Sequence, residues 1–158
     1  MTFKKTARGF TLIEILVVIG IIAVLAAIVL VAINPARQFA QANDSQRTSN
    51  VNAILNAIGQ YAADNQGDIS ALGIPSADSS VDANFDVIGD GVGQADLCGL
   101  LVSDYLPALP VDPANGAAVD CTAAYDTGYR VIQDSTTNRI TVRADSQVNS
   151  GTYIDVTR

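Results

Sequence analysis

The pattern of apolar and polar positions divides the chain into three stretches. From Phe10 to Ile33, FTLIEILVVIGIIAVLAAIVLVAI, 24 residues carry a single charge, Glu14, which is also the chain's only glutamate. A helix built from this run is apolar on every side, which predicts burial in lipid or in an assembly rather than a surface helix. At helical rise it covers ~36 Å, enough for a ~30 Å hydrocarbon core. The apolar core of a secretory signal spans only about 7–15 residues, so this run is too long for one.

Asn34-Pro35 interrupts the run, and the pattern then turns amphipathic. Phe39, Val51, Ile54, Leu55, Ile58, Tyr61 and Ala62 fall on one helical face, while Gln41, Asn43, Asp44, Gln46, Arg47, Asn50, Asn52, Asn56 and Gln60 make the others polar. Asn65-Gln66-Gly67 predicts the stop. Phe10 to about Asn65 reads as one long helix, bent or locally unwound near Ile33 by the proline. Asp68 to about Gln94 reads as loop, with one short strand around 83–88, and 95–104 as a short helix. Beyond it, 129–133 and 139–143 are β-branched runs joined by the turn-like DSTTN, a hairpin signal, with 152–156 as a third strand. The fold class is therefore α+β: a long N-terminal helix packed against a small antiparallel sheet.

Charge sharpens the picture. Lys4, Lys5 and Arg8 precede the span with no acid among them, and no lysine follows, so the N-terminus is expected in the cytoplasm and everything after Ile33 outside it. Beyond the span stand fifteen aspartates against six arginines, and the net charge is −7. Such a field repels nucleic acid, although Arg130, Arg139 and Arg143 could form a local basic patch, facing outward from the hairpin toward an aspartate-rich neighbour. Cys98 and Cys121 fit an oxidising compartment and are expected to form a disulfide, two free buried thiols being the competing reading.

Residues 1–9, MTFKKTARG, end in glycine directly before Phe10, and Glu14 is the fifth residue after that boundary. This arrangement resembles the class III leader and first segment of type IV pilins and type II secretion pseudopilins. The resemblance implies cleavage after Gly9 by a prepilin peptidase, N-methylation of Phe10 and assembly into a helical homo-oligomeric filament. An assembly ATPase and inner-membrane platform proteins are the partners it implies. The corresponding divisions are leader 1–9, transmembrane and filament-core helix 10–33, amphipathic continuation 34–66 and exported head 67–158. The carboxylate has a physical role of its own: a charged group inside hydrocarbon costs ~2.5–3.5 kcal/mol, so it is expected to pair. The amine that cleavage would leave on Phe10 of a neighbouring subunit is the expected partner; in the isolated subunit Glu14 could instead reach the water interface.

Other motifs carry less. Leu106-Pro107-Ala108-Leu109-Pro110-Val111-Asp112-Pro113 is similar to a proline-rich segment of major pseudopilins, in which a nearby loop holds calcium; Asp112 and Asp120 are the candidate ligands here. Otherwise no cofactor is expected. Asp78, Asp82, Asp86 and Asp90 lack the spacing of an EF-hand loop, and the glycine-rich 89–93 lacks the strand and lysine of a phosphate loop. With no histidine, and no nucleophile beside a recognisable base, an enzyme is not expected. The expected function is that of a structural filament subunit, in the cytoplasmic membrane as precursor and then in an extracellular pilus. A periplasmic pseudopilus and a membrane-anchored binding module that never polymerises are the alternatives.

Overall fold

The computed structural model describes residues 9–32, 34–116 and 120–158; the expected leader and any bend at Ile33 lie largely outside these. The chain forms two compact units, residues 1–38 and 39–158.

The first unit is built on α1, Leu12–Ala32, whose leucines, isoleucines and valines from Leu12 to Leu30 stand exposed on all sides. The stretch Leu12–Leu30 is long and apolar enough to cross a membrane. A second helix, α2, runs from Pro35 to Asp64. Asn34 caps it, its Oδ1 accepting the Arg37 N–H at 3.2 Å, and Pro35 takes the first helical position, where its missing N–H costs nothing. The expected single bent run is thus two helical segments, the second with its own start signal. α2 stops as predicted: Gln66 and Gly67 adopt positive φ, and the Gly67 N–H reaches back to the Ala62 carbonyl at 2.7 Å.

The second unit carries a five-stranded sheet: β1 (Ser76–Ala77), β2 (Asp86–Gly89), β3 (Asp126–Asp134), β4 (Ile140–Asp145) and β5 (Tyr153–Thr157). The central ladder is β3–β4–β5, antiparallel, with Val131 opposite Val142 and Val142 opposite Val156. β2 pairs antiparallel with β3, but β1 pairs with it in parallel, so the sheet is mixed rather than wholly antiparallel. Two residues of serine and alanine carry no alternation by which that strand could be recognised. The expected helix at 95–104 contracts to α3, Cys98–Leu101, and the expected strand at 83–88 splits into a 3₁₀ turn, Asp82–Asn84, followed by β2.

The core lies between α2 and one face of the sheet. Val51, Ile54, Leu55, Ala57, Ile58 and Tyr61 join Tyr129, Val131, Val142 and Ala144 in one buried cluster, with α3 contributing Leu101. Full burial of such a side chain is worth about 1.5–3 kcal/mol, so this cluster holds the unit together. Phe39, read as part of the same stripe, is exposed.

Candidate assembly site

The start of α1 is fixed locally. Thr11 sits just before the helix, and its Oγ1 accepts the Glu14 N–H at 3.3 Å while Glu14 Oε2 accepts the Thr11 N–H at 2.8 Å and its hydroxyl at 2.9 Å. This is a capping box, spelled in the sequence as Thr-x-x-Glu. It satisfies helix-end donors that would otherwise be orphaned in a low-dielectric setting. Both bonds fall on Oε2; Oε1 accepts none among the described residues. Phe10, immediately before, is exposed, as are Gly9 and the apolar surface of the following turns. Among the described residues, the arrangement can present one free carboxylate oxygen and an apolar cylinder.

In the head, the structure relocates several charged residues. Arg47, read as part of the polar surface of α2, is 2% exposed. Its Nε and Nη2 bind Asp112 Oδ2 and Oδ1 at 2.5 and 2.9 Å, and Nη1 binds Asp44 at 2.8 Å. Its partner Asp112 lies 65 residues away, which no helical periodicity can announce. Asp44 additionally accepts the Ser146 hydroxyl and the Gln147 and Val148 N–H groups, tying α2 to the loop after β4. Burial pushes the Asp44 pKa up, but these donors and Arg47 outweigh it and bring the pKa to about 2. Burial likewise opposes ionisation of Asp112, and the Arg47 guanidinium with the Ala114 and Asn115 N–H groups outweighs it, holding the carboxyl below its ordinary range.

The calcium candidates take different local roles. Asp112 serves Arg47 and the turn at 114–115, whereas Asp120 accepts the Thr122 N–H and hydroxyl. Among the described residues, no three histidine, cysteine, aspartate or glutamate side chains converge to hold a metal ion. The disulfide is formed, between Cys98 and Cys121.

The arginines of the hairpin correct a second expectation. Arg143 does not project into solvent: it is 9% exposed, its guanidinium 3.9 Å from the Phe85 ring centre and 4.3 Å from that of Tyr153. It pairs with Asp155 and Asp82, while Arg130, its opposite number across β3 and β4, pairs with Asp82 and Asp145. Two like charges in register would repel, and the three aspartates neutralise them. The 3₁₀ turn at 82–84 brings Asp82 over the sheet, which spacing along the chain did not reveal. Of the expected patch, Arg139 alone stays exposed and outside any ion pair among the described residues.

Residues 4–30 match the family described as the prokaryotic N-terminal methylation motif. Over 83 residues the chain is 37% identical to the type IV wide pilus major component PilA4 of Thermus thermophilus. That stretch is 49% of this chain and 62% of that protein, so the chain spans less than two thirds of that relative. No solved structure matches the chain. The matched motif covers the leader, Phe10, the capping box and most of α1, and a long apolar helix followed by a small sheet is consistent with the type IV pilin-like family that the chain resembles.

Proposed function

We propose that the chain is a structural subunit of a type IV pilus, stored in the cytoplasmic membrane through α1 with its N-terminus inside. Prepilin peptidase cleaves it after Gly9, Phe10 is N-methylated, and an ATPase-driven platform draws the subunit into a helical filament. The observation that carries this reading is the capped apolar helix with its single acid. α1 has no polar face for a soluble partner, so it is at home in lipid and equally among copies of itself, and the exchange costs little hydrophobic free energy. Glu14 spends one oxygen on its own helix start. The other remains for the cationic amine of a neighbour's Phe10, which fixes the axial stagger between subunits. Similarity to a major pilus component favours the pilus over the pseudopilus.

The test is the mature N-terminus together with the place where the protein is found. Sheared surface fibres analysed by mass spectrometry should contain this chain beginning at N-methylated Phe10. Fibres empty of it, with the chain retained in the membrane at precursor mass, would leave a plain membrane anchor.

A further inference from the structure

The head carries an open groove of about 380 Å³ between the C-terminal half of α2 and the end of the sheet. Leu55 and Ile140 give it an apolar lining, Asn56, Gly59 and Gln60 line its helix side, and Arg158 closes one end. Gly59 lies mid-helix, where glycine costs up to ~1 kcal/mol relative to alanine, and a Cβ there would meet nothing within 4 Å. The chain's own packing therefore gives no reason for it. From residue 45 to 63 the sole charged side chain is Arg47, which is buried, so the surface of α2 beside the groove is free of charge. Arg158 stands at the rim, its Nη1 donating to Asn56 Oδ1, and Arg139 adjoins the lining residue Ile140 in the chain; neither arginine lies within ion-pair distance of a carboxylate among the described residues. The other three arginines of the unit are neutralised internally.

The same chain presents the complementary shape. Val92 is fully exposed at the tip of a turn closed by the Gln94 N–H on the Gly91 carbonyl at 3.1 Å, with Gly93 at φ +77°. The turn is clamped from beneath, because Gln94 Oε1 accepts the Gly91 N–H at 2.8 Å. A Cβ on Gly89 would meet the Tyr125 carbonyl oxygen at 2.9 Å, which explains that glycine, and one on Gly91 would displace the Gln94 amide that holds the turn. The stretch read as a flexible turn is thus a held one, and it sets an apolar tip beside Asp90 and Asp126.

We infer that the groove between α2 and β4 receives the Val92 turn of a second copy of this chain, its aspartates facing Arg139 and Arg158. An apolar tip flanked by acids matches an apolar groove flanked by unpaired arginines, and a pre-held turn loses little entropy on docking. Knob and groove are different surfaces, so the contact is head-to-tail and propagates rather than closing a dimer, as a filament requires. This deepens the pilus reading and rests on it.

The test uses the full chain expressed in piliated cells. Val92→Asp should abolish fibres while precursor level, disulfide and monomer unfolding stay as in the parent, and Val92→Leu should keep them. Gly59→Tyr, whose Cβ meets open space and whose ring would occupy the groove, should abolish fibres likewise while monomer unfolding stays as in the parent. Benzoylphenylalanine at position 92 should give, on irradiation of fibres, a species of doubled mass crosslinked to the peptides around 55–60 or Ile140. Fibres of normal yield from Val92→Asp, or a crosslink mapping elsewhere, overturn the docking while leaving the filament standing. Absence of the parent chain from fibres overturns the filament, and the docking with it.

Discussion

The Arg47 guanidinium lies edge-on to the Asp112 carboxylate, two bonds in parallel, with both side chains no more than 3% exposed. This pair fastens the helix to the proline-rich segment itself, and Asp44 extends it to the loop after β4. Removing one member of a buried pair leaves the other charged and unsolvated, at a cost of about 3–5 kcal/mol. Arg47→Met should lower the head's stability by that amount, read by denaturant unfolding of the full chain in detergent through tyrosine near-UV circular dichroism. A loss below ~1 kcal/mol would show that water reaches the pair.

Acid should act through the same cluster. The folded-state pKa of Asp44 is about 2, below its ordinary value, and that of Asp112 is also depressed. A depressed carboxyl stabilises the fold above its unfolded pKa, and this stabilisation is lost as pH falls through the folded pKa. Stability should therefore be level on these groups' account above about pH 5 and fall between about pH 4 and pH 2. Asp44→Asn should make that fall shallower; an unchanged acid limb would remove Asp44 from the linkage.

Local pattern carried much of this architecture in the sequence, and long-range pairing did not. The apolar run, the stop at 65–67 and the hairpin were legible because each rests on spacing within a few residues or on turn chemistry. Thr11-x-x-Glu14 was equally local, but the interest of a lone acid in an apolar run obscured the capping box. Arg47 and Arg143 were misplaced on the surface because burial of an arginine depends on carboxylates brought from elsewhere, Asp112 and Asp82, which periodicity cannot see. Parallel β1 has no pattern at all, being held by its neighbours.

Capping and pairing by Glu14 can be separated. Glutamine at the third helical position still serves a capping box, so Glu14→Gln keeps the helix start and removes the charge. It should insert in the membrane at parental levels and fail to form fibres. Thr11→Ala weakens the cap by about 1 kcal/mol and should leave fibres in reduced but measurable number. Normal fibre yield from Glu14→Gln would defeat the pairing with Phe10.

Arg143 should be intolerant even of lysine. Its planar group is stacked between Phe85 and Tyr153 while bonding Asp155 through both Nε and Nη2, a fork that an ammonium cannot reproduce. Arg143→Lys is expected to cost about 1–2 kcal/mol, and a cycle with Phe85→Ala to show coupling of about 1 kcal/mol. Additive losses would mean that the ring shields the ion pairs from water without attracting the cation.

The disulfide and the Arg47 pair should prove coupled although they share no atom. Cys98–Cys121 closes a loop of 23 residues' separation, and Asp112 lies inside that loop. Chain-entropy reasoning assigns such a closure about 3 kcal/mol, mainly by restricting the unfolded chain. Within the folded state it also confines the segment that carries Asp112 to Arg47. Once the loop is opened by Cys98→Ala with Cys121→Ala, that segment is freer to swing its carboxylate toward water when the guanidinium is removed. Arg47→Met should therefore cost less in the disulfide-free background than in the parent, by roughly 1 kcal/mol. Equal costs in the two backgrounds would place the stabilisation by the disulfide wholly in the unfolded ensemble.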